Sequence, residues 1–186
     1  MAILHRTTLV PSKLELVAAW APKQAWFEGE KDAALTLVAS FRLDDPAGEV
    51  GIETLLLKAG DGPVFQVPLT YRGAPLEGGE DSLIGTMEHG VLGTRWVYDG
   101  PGDPIYVATT TTAILEAEHE VEMWIELEGV MTKRESTATV AGTGGTRGGA
   151  LEVVRRPRTA PDTELALVGQ WAEQPTPVVL AVLSAI

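Results

Sequence analysis

The chain has 186 residues, which is enough for one domain of ordinary size or for two small ones with a hydrophobic core. Its formal net charge of −12 gives no basic field of the kind that binds nucleic acids or anionic membranes, so we expect neither partner. It contains no cysteine, which excludes disulfides, thiolate nucleophiles and cysteine-bound zinc. The first residues lack the apolar core of a signal peptide, and no apolar run is long enough to span a membrane. We therefore expect a cytoplasmic protein.

The first third of the chain predicts a short helix followed by an antiparallel meander. Ser12 and Glu15 fit a capping box, and the helix should end before Pro22. Alternating apolar residues predict three strands joined by short turns, at 35–43, 50–58 and 65–71. Because Pro68 has no amide hydrogen to donate, we expect the third strand to lie at a sheet edge or to be bulged there.

The middle of the chain combines glycine-rich segments with one helix. Residues 73–85 predict a polar loop, and residues 95–99 predict a short strand. The stretch 85–100 contains four glycines, which we interpret as turn residues. Asp103 precedes a proline, a pair typical of a helix N-cap and first helical residue, and the helix should run to about Ala117.

The rest of the chain is predicted to be mostly β-strand. Glutamates alternate with apolar residues from Glu118 to Glu128, a pattern typical of a strand with one acidic and one apolar face. Trp124 stands alone among the acids. It either marks a second contact surface, toward the N-terminal region or a partner subunit, or is a shielded surface aromatic. Further strands are expected at 136–141, 150–156, 164–169 and 178–184.

None of the motifs that would define a catalytic or metal site is complete. Gly144 to Gly149 have the glycine spacing of a phosphate-binding loop, but Ala150 and Leu151 follow where its lysine and hydroxyl residue should stand, so we interpret residues 142–149 as a flexible hairpin loop. The three histidines form no pair at metal-binding spacing, and no nucleophile elbow is present, so we expect no metal and no cofactor. The basic cluster at 155–158 should pair with the chain's own acids.

Segments from residue 2 to about residue 115 resemble the N-terminal cap domain of actinobacterial maltokinases. The resemblance is closer to free-standing proteins that carry this cap without a kinase. The segments are AILHRTTLVPSKLELVAAW, FRLDDPAGEVGIETLLL, VPLTYRGAPLEG, LIGTMEHGVLGTRWVYDG and DPIYVATTT. The resemblance implies an α+β fold in which a curved antiparallel sheet is flanked by helices. We expect a cap-like region at 1–117 and a mostly β antiparallel region at 118–186 that packs on it.

The second half is similar to a reduced small lobe of the same kinases. The segment RESTATVAGTGGTRGGALEVVRRP carries this similarity, and it implies that Glu152 stands where the phosphate-binding lysine would be. A carboxylate there repels the phosphates of ATP. The chain also ends where the large catalytic lobe should begin, so we expect no kinase activity.

Together these observations predict a non-catalytic interaction or regulatory module linked to maltose, trehalose and glycogen metabolism. Its partner would be a protein of carbohydrate metabolism or a second copy of the chain. The alternative is a protein that binds a small ligand, a sugar or a sugar phosphate, and a hydrolase is a third interpretation. Trp96 and Tyr98 share one strand face, as core anchors or as an aromatic platform. The candidate ligand or partner surface comprises Tyr71, Arg72, His89, Arg95, Trp96, Tyr98 and Trp124.

Overall fold

A computed structural model describes residues 2–4, 8–30, 32–127, 130–159 and 165–184. The strands are β1 (Ala2–Leu4), β2 (Leu9–Val10), β3 (Leu35–Asp44), β4 (Gly51–Ala59), β5 (Phe65–Arg72), β6 (Leu83–His89), β7 (Gly93–Asp99), β8 (Met123–Leu127), β9 (Val130–Arg134), β10 (Ala138–Gly142), β11 (Leu151–Arg158), β12 (Ala166–Trp171) and β13 (Gln174–Leu183). The helices are α1 (Lys13–Trp20) and α2 (Pro104–Glu116).

The N-terminal part is built on one antiparallel sheet of six strands in the order β2-β6-β7-β5-β4-β3. This sheet curls strongly into a half-barrel, with α1 against one face and α2 against the other. Strands β3, β4 and β5 form the predicted meander, because each pairs with the next in sequence. The predicted α+β fold, with a curved antiparallel sheet flanked by helices, is confirmed.

The two faces of the curled sheet support two hydrophobic cores. On β4, Leu55 and Leu57 pack with Val17 of α1, whereas Leu56 packs with Ile114 of α2. Successive side chains of a strand point to opposite faces, so a strand covered on both sides is apolar at nearly every position. The core on the α2 side also takes in Leu180 from the C-terminal sheet.

The C-terminal part contains two smaller sheets. Strands β10, β12, β13 and β11 form a four-stranded antiparallel sheet in that order, and β8 lies between β1 and β9 in a three-stranded one. Strand β1 pairs with β8 in parallel, so the N-terminal residues join the C-terminal part. The division of the chain into domains at 1–117 and 118–186 remains a prediction.

Both helices begin where the sequence predicts. The Ser12 hydroxyl accepts from the Glu15 amide at 3.3 Å, and the Glu15 carboxylate accepts from the Ser12 amide at 2.7 Å, which completes the capping box. Asp103 accepts from the Ile105 amide at 2.9 Å as the N-cap of α2. The helix α2 ends at Glu116, and its C-cap Ala117 has a φ of +56° that breaks the helical geometry.

The glycine-rich segment 142–149 is not a hairpin loop, which corrects our interpretation. It connects β10 to β11, and these strands lie at opposite edges of their sheet. The amides of Gly144 and Gly145 donate to the carbonyls of Ile114 and Leu115, each at 2.9 Å. The segment therefore supplies hydrogen-bond donors to the last turn of α2, whose carbonyls have no partner within the helix.

Two predictions about the N-terminal sheet are wrong in detail. The segment 73–85 is not a continuous loop, because β6 begins at Leu83 and pairs with β7 over its whole length. Strand β5 is not an edge strand, and its pairing with β4 continues without a bulge through Pro68. The ladder between β5 and β7 covers only Leu69–Arg72, so Pro68 lies one residue outside it. A proline is tolerated there because its nitrogen, which cannot donate a hydrogen bond, is not needed to bond to β7.

The predicted strand from Glu118 to Glu128 is also shorter than expected, because β8 begins at Met123. The residues before it bind other strands instead. The Val121 amide donates to the Arg42 carbonyl at 3.0 Å, and the Glu120 carboxylate accepts from the Val140 amide at 2.8 Å. Residue 128 lies outside the described residues. On β8, Met123 is buried, in agreement with the predicted apolar face.

Candidate functional site

The strand register distributes the predicted site residues over both faces of the large sheet. Arg72 is paired with Trp96, and Thr70 is paired with Tyr98, so these four side chains share one face. Tyr71 lies on the opposite face, as its neighbours on β5 alternate with it. The seven residues therefore do not form one surface, and their role as a ligand or partner surface stays a prediction.

Arg72 is bound to a buried carboxylate on the α2 side of the sheet. Its Nε and Nη2 atoms donate to Oδ2 and Oδ1 of Asp103, both at 2.7 Å. The Thr70 hydroxyl donates to the same Oδ2 at 2.7 Å, and Asp103 is fully buried. Burial raises the pKa of Asp103, but the bonds from Arg72, Thr70 and the Ile105 amide outweigh it and hold that pKa below its usual value.

Tyr98 and Trp96 differ in exposure. Tyr98 is buried, and its hydroxyl accepts from the Leu76 amide at 2.8 Å, so it anchors the loop after β5. Trp96 is half-buried at the centre of the hairpin, opposite Thr86 on β6. Trp124 is also half-buried, but it belongs to the three-stranded sheet, where it pairs with Ile3 and Lys133.

On the α1 side, Tyr71 belongs to a cluster of charged groups that the sequence did not indicate. Its hydroxyl donates to Oε2 of Glu53 at 3.0 Å, and the same oxygen accepts from Lys13 and lies 3.5 Å from Nη1 of Arg42. Burial raises the pKa of Glu53, but the two cations outweigh it, and that pKa is lowered. Burial and the Glu53 carboxylate raise the pKa of Tyr71 well above its usual value.

His89 and Arg95 organise the turn between β6 and β7. Nδ1 of His89 accepts from the amides of Leu92 and Val91 at 3.0 and 3.3 Å. Nη2 of Arg95 donates to the Leu92 carbonyl at 2.6 Å. Gly93 follows with a φ of +70°, a conformation that other residues rarely adopt. His89 and Arg95, which were predicted to belong to a ligand or partner surface, therefore stabilise this turn.

That turn presents apolar side chains to solvent. Val91 is 59% exposed and Leu92 is 47% exposed. Val10 on the neighbouring strand β2 is 60% exposed, and it pairs with Glu88 next to the same turn. We call Val10, Val91 and Leu92 the apolar tip. Hairpin turns are usually polar, so the apolar pair between Gly90 and Gly93 was the sequence signal that could have revealed it.

Comparison with known families places this hairpin within a recognised domain. Residues 20–103 match the family described as the maltokinase N-terminal cap domain. The matched stretch is similar to a maltokinase N-terminal cap domain, and we call residues 20–103 the cap domain. No curated protein matches the chain.

The cap domain supplies two of the three residues of the apolar tip. Val91 and Leu92 lie inside the matched range, and Val10 precedes it on a strand that completes the sheet. Asp103 is the last matched residue. The matched range therefore contains both members of the Arg72–Asp103 pair and all of the hairpin that presents the tip.

The cap domain is joined to the C-terminal sheet by buried polar contacts. Nε2 of Gln66 donates to the Val154 carbonyl at 2.7 Å and to the Leu180 carbonyl. Arg155 forms an ion pair with Asp99, and its guanidinium lies 4.5 Å from the centre of the Trp26 ring. Burial raises the pKa of Asp99 above its usual value despite this arginine.

Arg155 and Arg156 of the basic cluster at 155–158 pair with acids of the chain, as predicted. Arg155 binds Asp99, and Arg156 lies 2.5 Å from Glu28 on the surface. Within the described ranges, no group of three histidine, aspartate or glutamate side chains could hold a metal ion. No helix in the same ranges is long and apolar enough to cross a membrane.

Proposed function

We propose that this protein is a non-catalytic interaction module in maltose and trehalose metabolism, acting in the cytoplasm, and that it binds a protein partner through the apolar tip. The observation that carries the proposal is the tip itself. Val91 and Leu92 are exposed on a turn that hydrogen bonds to His89 and from Arg95 hold in place, and Val10 is exposed on the neighbouring strand β2.

A pre-shaped apolar turn suits protein binding. Isolated apolar residues are common on protein surfaces, but two adjacent apolar residues held on a fixed turn suit a contact site. Burial of Val91 and Leu92 against a partner would remove apolar surface from water. Since the turn is already held by three hydrogen bonds, little conformational entropy would be lost when the partner binds.

The polar groups of the cap domain favour a structural role over a catalytic one. Arg72 and Asp103 satisfy each other, and the Tyr98 hydroxyl is bound to a backbone amide. Their bonds hold α2 and the loop after β5 against the sheet. The resemblance to a kinase small lobe adds that Glu152 replaces a phosphate-binding lysine. These observations support a module without phosphoryl-transfer activity.

Site-specific photo-crosslinking in the source cells tests this function. A benzophenone amino acid placed at Leu92 should crosslink to a protein that acts on maltose, trehalose or glycogen, identified by mass spectrometry. The same group placed at Glu173, in an exposed turn of the C-terminal sheet, is the matched control. No crosslink at Leu92, or the same product from both positions, would overturn the proposal. A crosslink between two copies of the chain would assign the tip to a homodimer.

A further inference from the structure

The outer face of the C-terminal sheet carries an open groove of about 320 Å³. This volume falls at the lower end of the range of roughly 300–1,000 Å³ that is typical of small-molecule sites. The groove lies far along the chain from the hairpin of the apolar tip. Its lining is His119, Thr139, Val140, Ala141, Val168, Gly169, Gln170 and Pro177.

The strand register brings polar and apolar groups of this groove together. Thr139 of β10 pairs with Gln170 of β12, so the hydroxyl and the carboxamide are cross-strand neighbours. Ala141 pairs with Val168 two residues further on and lies on the same face. Val168 packs against the fully buried Val179 in a small apolar cluster, which supports the floor of the groove.

His119 lies at the rim of the groove and is held in one orientation. Its Nδ1 atom lies 3.2 Å from the Val140 carbonyl oxygen. A carbonyl can only accept, so Nδ1 carries the proton and donates, and Nε2 is left to bind another group. The Glu120 carboxylate is engaged by the Val140 amide at 2.8 Å, so it keeps the adjoining segment fixed against β10.

The chemistry of this lining selects a class of ligand. The lining offers both hydrogen-bond donors and acceptors, but no aspartate, glutamate, lysine or arginine of the described part of the chain lines it. A charged ligand would lose hydration there without gaining a counter-charge. Among the described residues, no phenylalanine, tyrosine or tryptophan lines the groove to offer a broad platform for a nucleobase. We propose that the groove binds a small neutral molecule rich in hydroxyl groups, such as a sugar, through Thr139, Gln170 and His119.

This site goes beyond the protein partner proposed above and does not depend on it. A titration of the full chain with glucose, maltose and trehalose, followed by amide NMR, tests it. Shifts should saturate at millimolar concentration and centre on Thr139, Ala141 and Gln170. Glucose 1-phosphate should bind more weakly than glucose, because its charge finds no partner in the groove.

Two variants make the test specific. Gln170→Ala should weaken binding about fivefold, since one hydrogen bond is removed. Ala141→Phe should abolish it by filling the groove from an outward-facing position, and Thr132→Ala on the exposed strand β9 is the control. Three results would overturn the proposal: no shifts with any of the three sugars, shifts centred on Trp96, or tighter binding of the phosphorylated sugar. None of them bears on the crosslink at Leu92.

Discussion

Arg72 binds Asp103 through two hydrogen bonds of 2.7 Å, and this pair joins the last residue of β5 to the residue that caps α2. The carboxylate is fully buried, and it also accepts from Thr70 and from the first turn of the helix. One side chain therefore fixes the position of α2 on the sheet. The position of α2 in turn sets the shared core with the C-terminal sheet.

Replacing Asp103 should cost more than the loss of a helix cap. Asp103→Ala removes the cap, for which about 0.5–2 kcal/mol is usual, and it also leaves Arg72 without its counter-charge. We expect a loss of about 3–5 kcal/mol in the free energy of unfolding, as for other broken buried pairs. Chemical denaturation measures it, with Ser12→Ala as the control for a cap without an ion pair. Equal losses in the two variants would contradict the structural role of the pair.

Stability should fall in acid partly through Asp103. Its pKa in the folded protein lies below the ordinary value of 3.8, so the unfolded chain takes up the proton first. The stabilisation is present above the unfolded value and is lost as pH falls through the folded one. Asp103→Asn should therefore lose less stability than the wild type between about pH 5 and pH 3, near and below the carboxyl values of unfolded chains. If the free energy of unfolding of the two proteins fell equally with pH, the titration of Asp103 would not contribute to the loss of stability in acid.

Gln66 should couple the cap domain to the C-terminal sheet. The Gln66 side chain is 1% exposed and donates to two carbonyls of that sheet. Gln66→Met keeps the length of the side chain but leaves the Val154 carbonyl without this donor, which should cost about 1–3 kcal/mol. Gln24→Met, where the amide makes a single long bond of 3.4 Å near the surface, is the control and should change little. Thermal unfolding of both variants gives the comparison.

The sequence predicted the features that depend on neighbouring residues. The Ser12 capping box, the Asp103 cap and the meander of β3, β4 and β5 each follow from residues a few positions apart. Strand β6 was missed because Gly85 interrupts its apolar pattern. The strand register shifts between Leu83 and Gly85, and a side chain at Gly85 would meet Leu16. Strand β9 was missed because it is exposed along its length and has no alternating pattern.

The candidate site was harder to predict, because its chemistry depends on distant pairs. Arg72 resembles a free ligand-binding group in the sequence, but the carboxylate that engages it is thirty-one residues away. Gln66 and the Leu180 carbonyl are separated by 114 residues. No local pattern indicates either contact. The apolar tip, by contrast, does have a local sequence signal. Val91 and Leu92 stand between two glycines, where polar turn residues are usual.

The protein should not bind ATP. Glu152 stands on β11 where the resemblance to a kinase small lobe places the phosphate-binding lysine, and its carboxylate would repel the phosphates. Calorimetric titration with ATP and magnesium should give only heats of dilution. A saturable isotherm would contradict this, and Glu152→Gln would then show whether the carboxylate limits binding.

The size of the complex in a native extract tests the protein-binding role of the apolar tip most directly. The wild-type chain, tagged at its own locus, should elute from a sizing column in a species well above its own mass of 19.8 kDa. Leu92→Glu should elute at the mass of the free chain, because a charge cannot be buried in an apolar contact without a large cost. Leu37→Glu, at an exposed apolar position on β3 remote from the tip, is the control and should elute like the wild type. A Leu92→Glu variant that is folded by circular dichroism and still elutes with the wild-type complex would contradict the account.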